Sequence, residues 1–109
     1  MSKRTISTKY RKTTGKEELK IEIYYSLGGW NMFNESQEPR GYWLSISPVE
    51  RRDHMESFIL GRGRKKFLNE TRVDRKGGKA EQEAIRLAAL HEEELLQIVC
   101  REENLELAS

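Results

Sequence analysis

The ten residues from Arg40 to Val49 constrain the fold most, because they carry the clearest strand pattern in the chain. Tyr42, Leu44 and Ile46 fall on one face at a period of two. Trp43 falls on the opposite face. An apolar face with a tryptophan on its reverse predicts a central position in a small sheet.

Two further stretches predict strands before and after it. Residues 19–27 alternate without exception, with five apolar residues on one face and Lys, Glu, Tyr and Ser on the other. Residues 55–60 form a shorter strand, which begins after Pro48 has ended the central one. Three consecutive strands favour an antiparallel meander.

Two helices are predicted after the strands. Residues 64–73 are expected to form a short basic helix with Phe67 and Leu68 toward the core. Residues 79–103 contain neither Gly nor Pro, and their apolar members recur at the i, i+3, i+4, i+7 spacing of an amphipathic helix. The predicted fold is therefore α+β: a three-stranded antiparallel meander with a short basic helix and a long C-terminal amphipathic helix on one face.

The length of 109 residues suits one domain with a core that needs neither disulfides nor metal. Residues 1–16 hold six Lys or Arg residues and no acid, and they are predicted to be a flexible basic arm before a single domain over residues 17–109. The one cysteine, Cys100, excludes an internal disulfide and favours the cytoplasm. No apolar run reaches the length of a membrane span.

Charge is segregated along the chain. The formal net charge is +2 overall, but it is +6 over residues 1–16, −3 over 17–49, +5 over 50–79 and −6 over 80–109. Such blocks are typical of solvated faces, and they also create a dipolar surface that steers a charged partner.

Residue types that carry enzyme chemistry are sparse. His54, His91 and Cys100 are the candidates for soft metal ligands, and no two of them have a ligand spacing such as Cys-x-x-Cys. Residues 61–64 lack the spacing of a phosphate-binding loop. The Asp, His and Ser within residues 53–57 lie too close in sequence to converge on one reacting atom. We therefore expect no catalytic activity, no metal and no cofactor.

Two groups of aromatic and apolar residues are suited to contact with a macromolecule. Tyr24 and Trp43 are expected as cross-strand neighbours on the sheet face opposite the long helix, either open to a base or protein partner or covered by the arm or a second copy. The loop between the first two predicted strands carries Trp30, Met32 and Phe33, which either cap the core or form a binding tip.

The charged candidates form a basic run and an acidic cluster. The basic run suits a phosphate backbone or an acidic protein groove, or it balances the acidic C-terminal helix. The acidic cluster suits a basic groove that normally receives phosphates. The basic residues are Arg51, Arg52, Arg62, Arg64, Lys65, Lys66, Arg72, Arg75 and Lys76. The acidic cluster is Glu92, Glu93 and Glu94, and Glu102 and Glu103 are further acidic positions expected to occupy such a groove.

Three segments resemble a pattern in small proteins of mobile genetic elements: YSLGGWN at residues 25–31, RGYWLSISPV at 40–49 and ESF at 56–58. Those proteins are carried on conjugative plasmids, transposons and prophages of gut Firmicutes, and the similarity runs from about residue 20 to about residue 96. The size and segregated charge of the chain are also similar to those of anti-CRISPR proteins that such elements carry, in particular Cas9 inhibitors.

The resemblance implies a cytoplasmic accessory protein that binds a host protein or nucleoprotein, with the Cas9–guide complex as the expected partner. The resemblance identifies no residue of this chain as a known contact with a partner. The alternative is a DNA- or RNA-binding accessory protein that uses the basic helix and the aromatic residues of the sheet.

Overall fold

A computed structural model describes residues 3–32, 35–52, 55–58 and 62–108. Their order of elements confirms the α+β class. Seven strands, β1 (Lys3–Lys12), β2 (Glu17–Ser26), β3 (Gly29–Asn31), β4 (Ser36–Glu38), β5 (Gly41–Arg52), β6 (Met55–Phe58) and β7 (Arg64–Glu70), precede one long helix within these described ranges, α1 (Lys79–Glu103).

The main sheet is antiparallel and β5 lies at its centre. One side of β5 pairs with β2, and β2 in turn pairs with β1. The other side of β5 pairs with both β6 and β7, which lie end to end opposite residues 49–52 and 41–46 of β5. The antiparallel pairing predicted for the three strands is confirmed, although residues 59 and 60 of the third lie outside the described part. A two-stranded sheet of β3 and β4 completes the structure.

Within the described residues, β6 pairs with β5 from Val49 onward and β7 pairs with it up to Ile46, on either side of Ser47 and Pro48. Proline has no N–H to give to a strand ladder. Gly63 passes very close to β5 at a φ of +95°, and a Cβ there would lie 2.4 Å from the carbonyl oxygen of Ile46. A side chain at residue 63 does not fit, so the glycine allows β7 to begin where it does.

Part of the predicted flexible arm lies in the sheet instead. Residues 3–12 form β1, which runs antiparallel to β2 with a bulge between Thr5 and Ser7. Ile6 packs against the core from this strand. The open edge of β2 offers a row of backbone donors and acceptors, and pairing with them outweighs the polar composition that favoured disorder.

The predicted short basic helix is wrong. Residues 64–70 form β7, because the second side of β5 requires a backbone partner over residues 41–46. Phe67 packs on Trp43 on one face of the sheet, and Leu68 packs against the core on the other. Lysine and arginine are common on edge strands, where they discourage further pairing.

The helix α1 covers one face of the sheet. Four members of its predicted apolar stripe, Ala84, Ala88, Leu95 and Val99, are buried, and three, Leu87, His91 and Ile98, are half-buried. Leu96, which was not assigned to the stripe, is fully buried. Leu19, Ile21 and Ile23 of β2 and Leu44 and Ile46 of β5 form the apolar floor beneath it. Each such side chain contributes about 1.5–3 kcal/mol when fully buried. The residues that α1 buries are Glu81, Ala84, Ala88, Leu95, Leu96, Val99 and Cys100.

The helix ends at Asn104, whose left-handed φ of 57° reverses the chain. The backbone N–H of Leu105 donates to the carbonyl of Cys100 at 2.9 Å. The following residues then pair with the end of β1, where the N–H of Ala108 donates to the carbonyl of Lys12 at 2.9 Å. No helix in the described ranges is both long and apolar enough to cross a bilayer.

Candidate partner-binding surface

Tyr24 and Trp43 lie directly opposite one another on β2 and β5, on the face away from α1. Trp43 nevertheless exposes only 8% of its surface. Phe67 packs against it with ring centroids 5.0 Å apart, and the Lys65 ammonium lies 4.7 Å from its ring centroid. Of the two alternatives left open for this face, an open and a covered one, Trp43 fits the covered one, and the neighbours that cover it are Phe67 and Lys65.

The ring of Tyr24 is also covered by a lysine. The Lys3 ammonium lies 4.5 Å from its centroid and pairs with Glu22 at 2.7 Å. Burial, with the nearby carboxylates of Glu38 and Glu22, raises the pKa of Tyr24 to about 12. Glu38 in turn accepts a hydrogen bond from Lys65. Each of the two lysines therefore sits over a ring and pairs with a glutamate.

Arg62 and Arg64 of the basic run are paired with acids inside the chain. Arg62 forms ion pairs with Glu17, at 2.9 Å, and with Glu103. The hydrogen bond to Glu103 raises the pKa of Arg62. Arg64 makes two hydrogen bonds to Glu102, one of them 2.7 Å long, and these lower the pKa of that carboxyl group. These cations connect β7 and the chain before it to α1.

The remaining basic positions are placed differently. Lys66 is exposed and lines a groove of about 200 Å³ between β7 and α1, together with Glu94. Arg72 is exposed in the loop after β7. Arg51 and Arg52 are the last residues of β5, and their side chains lie outside the described part of the structure.

The three acidic candidates on α1 do not form one surface of equivalent charges. Glu92 is half-buried and pairs with Lys9 of β1 at 2.8 Å. Glu93 is exposed and accepts a hydrogen bond from Gln97 at 3.3 Å. Glu94 is exposed beside β7. Only Glu93 and Glu94 of this cluster therefore present exposed carboxylates to a basic partner.

The predicted metal candidates are not brought together within the described residues. His54 lies outside them. His91 is half-buried beside the groove between β7 and α1, and Cys100 is buried in the core, where burial raises the pKa of its thiol. Across the described ranges, no three His, Cys, Asp or Glu side chains are placed to hold a metal ion.

A second surface lies at one end of the sheet, and we call it the end groove. Its first arm has a volume of about 510 Å³, and its second arm, beside the base of the β3–β4 hairpin, has a volume of about 370 Å³. Both arms are lined by Leu27, Arg40 and Arg72, so they lie side by side at these three residues. Lys3, Tyr25 and Val73 also line the first arm, and Gln37 and Glu70 the second.

The orientation of Arg40 is set by a chain of hydrogen bonds. Its Nε donates to the hydroxyl of Tyr25 at 2.7 Å, and that hydroxyl donates to the carbonyl of Thr71 at 3.1 Å. The Tyr25 ring is held edge-on against Tyr42, with centroids 5.2 Å apart. Arginine has five N–H donors, and no other partner for Arg40 lies among the described residues. Its two terminal nitrogens are therefore available to a ligand.

Two acids beside the end groove, Asp74 and Glu81, share the single positive charge of Arg4. Its guanidinium donates two hydrogen bonds of 2.6 Å to Asp74 and one of 2.6 Å to Glu81, and the Tyr42 hydroxyl donates to Asp74 at 3.0 Å. The bonds from Arg4 and then Tyr42 lower the pKa of Asp74. Burial and then Asp74 raise the pKa of Tyr42 to about 12. Arg4 therefore offsets one of these two negative charges.

The β3–β4 hairpin projects from the rim of the end groove. Trp30 exposes 63% of its surface and Met32 exposes 81%. Trp30 is paired with Gln37, so their side chains share a face of the hairpin, and Gln37 lines the groove. Gly28 makes the hairpin base possible, since a Cβ there would lie 2.5 Å from the carbonyl oxygen of Glu38. These exposures favour a binding tip over a core cap for both residues.

Sequence reasoning singled out Arg72 and Trp30 separately but not their common location. The sequence analysis did not single out Lys3, Leu27 or Arg40. They are far apart in the sequence, because Lys3 lies in β1, Leu27 just after β2 and Arg40 just before β5. The sequence analysis left open whether the apolar residues within 30–33 cap the core or form a binding tip. That open alternative was the signal that could have pointed to this surface. Phe33, the third apolar residue of that loop, lies outside the described part.

The fold and this surface describe a small α+β protein with an arginine-lined groove beside an exposed apolar hairpin. No protein-family model matches the chain. The curated proteins and the solved structures likewise contain no match to it.

Proposed function

We propose that this chain is a non-catalytic accessory protein of mobile genetic elements that binds a host defence nucleoprotein and blocks its nucleic-acid channel. The Cas9–guide complex is the partner to test. The observation that carries the proposal is the projecting hairpin with Trp30 and Met32 exposed beside two arginines, Arg40 and Arg72. The mobile-element origin comes from the resemblance of residues 25–31, 40–49 and 56–58, and the choice of Cas9 comes from the similarity in size and segregated charge to anti-CRISPR proteins.

The composition of this surface supports binding of a macromolecule. Tryptophan, methionine and arginine are enriched at protein interfaces, and truncation of a central tryptophan or arginine often costs at least about 2 kcal/mol of binding energy. Trp30 presents a large rigid side chain, and Arg40 is oriented before any ligand arrives by its bond to Tyr25. Little ordering entropy is then lost on association.

Two contact modes are open to such a protein. Acidic residues of α1 can occupy a basic channel, or cations can hold the guide or target strand. Five of the glutamates of the helix are engaged by cations of the same chain, namely Glu81 by Arg4, Glu83 by Arg86, Glu92 by Lys9, Glu102 by Arg64 and Glu103 by Arg62. The end groove offers Arg40 and Arg72 without such neutralisation, and this favours the cationic mode.

The proposal is tested by retention of a purified Cas9–guide complex on the immobilised protein, with and without nuclease treatment, together with an assay of target cleavage. We expect retention and inhibited cleavage. Trp30→Ala should weaken retention at least about 30-fold if the hairpin is central to the interface. Met55→Ala is the matched control, because Met55 is exposed on β6 and does not line the end groove. Absence of retention and of inhibition would refute the proposal.

The second candidate is a nucleic-acid-binding accessory protein. One observation favours it: Arg72, Arg75, Lys76 and Lys79 are all exposed and have no acidic partner among the described residues. Binding to free nucleic acid with a steep salt dependence would distinguish this candidate from the first.

A further inference from the structure

From the geometry of the end groove, we infer that it binds single-stranded nucleic acid. Arg40 and Arg72 contact the phosphates, and Trp30 stacks on an unpaired base. This inference deepens the second candidate function and rests on it, since it names the site and the class of ligand. It does not require the Cas9–guide complex to be the partner.

The shape of the groove suits an extended ligand. Its two arms meet at Leu27, Arg40 and Arg72, with volumes of about 510 Å³ and about 370 Å³. Each volume falls within the range of about 300–1,000 Å³ that is usual for ligand sites. A strand that follows both arms therefore passes Arg40 and Arg72.

Neither Arg40 nor Arg72 forms an ion pair with an acid among the described residues. Arg72 makes no ion pair with any described residue, and Arg40 uses only its Nε, on a neutral tyrosine. The carboxylates of Asp74 and Glu81 are both bound by Arg4, whose one positive charge offsets one of the two. An arriving phosphate meets the guanidinium of Arg40, which Tyr25 orients, and the exposed guanidinium of Arg72.

The loop after β7 extends this cationic surface away from the groove. Exposed basic side chains in the loop and at the start of α1 attract a polyanion and increase its rate of association. The opposing charge is small, because Glu38 is held by Lys65 and Glu70 is the other acid in the second arm. The contributing residues are Arg75, Lys76 and Lys79.

The exposed tryptophan favours single-stranded over double-stranded nucleic acid as the ligand of the groove. Stacking on an aromatic ring requires the face of a base, and those faces are hidden inside a duplex. Trp30 exposes 63% of its surface and lies opposite Gln37, which lines the second arm. An acidic peptide would satisfy the arginines but would make no use of a stacking surface, so it serves as a competitor in the test.

The test is a fluorescence anisotropy titration of the full chain against a labelled oligothymidylate of about 12 nucleotides, at salt concentrations from about 50 to about 200 mM. We expect affinity to fall steeply with salt. Arg40→Ala and Arg72→Ala should each reduce the slope of log affinity against log salt by about 0.7, the value for one lost phosphate contact on a single strand. Trp30→Ala should weaken binding at least about 5-fold.

The matched control is Arg64→Ala, which removes the same charge from an exposed arginine outside the groove that Glu102 already neutralises. It should keep both the affinity and the salt slope. A second readout is tryptophan fluorescence. The oligonucleotide should quench the emission of Trp30 in the native chain. In Trp30→Phe, where Trp43 is the remaining tryptophan, no quenching is expected because Trp43 is buried. Circular dichroism checks the folding of each variant.

Three results would overturn the assignment of the site. The first is that the chain does not bind oligothymidylate at low salt, and the second is that Arg64→Ala and Arg72→Ala weaken the affinity for it equally. The third is that a duplex, or a glutamate peptide of the same formal charge, binds as tightly as oligothymidylate or more tightly. Retention of the Cas9–guide complex without binding of free oligonucleotide would refute the groove as a nucleic-acid site and leave the first proposed function standing. Binding of free oligonucleotide without retention of the complex would support the groove as a nucleic-acid site and refute the first proposed function.

Discussion

The sheet face around Trp43 and the end groove around Trp30 contain the same kinds of residue in opposite states. On the sheet face, Lys65 covers the tryptophan and is neutralised by Glu38. At the end groove, Trp30 is open, and Arg72 has no acidic partner within the described ranges. A tryptophan beside basic residues therefore does not identify a binding surface by itself. The pairing of the charges and the exposure of the ring separate a packed face from one that is available to a ligand.

The largest expected difference between the two regions concerns the tryptophans. Trp43→Ala should lower the free energy of unfolding by about 3–5 kcal/mol, because it leaves a cavity against Phe67. Trp30→Ala should leave the urea midpoint unchanged, because its side chain is mostly solvated. Urea denaturation followed by circular dichroism measures both. Similar losses for the two variants would contradict the distinction between the regions.

The next effect concerns the hydrogen bonds at the border of the end groove. Asp74→Ala removes the acceptor of the Tyr42 hydroxyl, and Tyr42 is fully buried. An unsatisfied buried hydroxyl costs about 1–3 kcal/mol, so unfolding should become easier by that amount. Adding Tyr42→Phe to Asp74→Ala should recover part of the loss in the same urea assay. A double variant that is less stable than Asp74→Ala would show that this hydroxyl is not the cause.

A smaller difference should separate two arginines of the predicted basic run. Arg62→Ala breaks partly buried pairs with Glu17 and Glu103 and should cost about 1 kcal/mol. Arg72→Ala removes the same charge from an exposed side chain and should leave the melting temperature unchanged. Thermal unfolding of the two variants side by side tests this. A lower melting temperature for Arg72→Ala would indicate that the groove cations have a structural role.

The smallest effect is a dependence on pH that arises from Asp74. Its pKa is lowered in the folded chain by Arg4 and Tyr42, so its contribution to stability is present above the pKa of the unfolded carboxyl group. That contribution is lost as the pH falls through the lowered folded value. The stability difference between the native chain and Asp74→Asn should therefore be largest near neutral pH and shrink in acid. A difference that grows in acid would contradict the sign of this shift.

The parts of the fold that follow from local periodicity were predictable. Residues 19–27 and 40–49 show a period of two, and residues 79–103 show the helical spacing, so the buried face of each follows from the sequence alone. β7 was missed because its Arg-Lys-Lys start has no apolar alternation, and the strand forms through pairing with β5. β1 was missed for the same reason, as its partner is the edge of β2.

The candidate surface was less predictable than the fold. Arg62, Arg64 and Arg72 have the same charge and lie in the same basic run, so nothing local distinguishes them. Their difference depends on glutamates from distant parts of the chain, such as Glu103 for Arg62 and Glu102 for Arg64. The groove itself joins residues from β1, from β2, from the residue just before β5 and from the loop after β7.

The sequence by itself determined the α+β class, the apolar faces of β2 and β5 and the stripe of α1, because side-chain periodicity is a local property of each segment. Only the tertiary structure decided which basic residues are neutralised and which tryptophan is exposed. Ion pairs act over a few ångströms in space, and the residues that form them are brought within that distance only when the sheet and helix have packed.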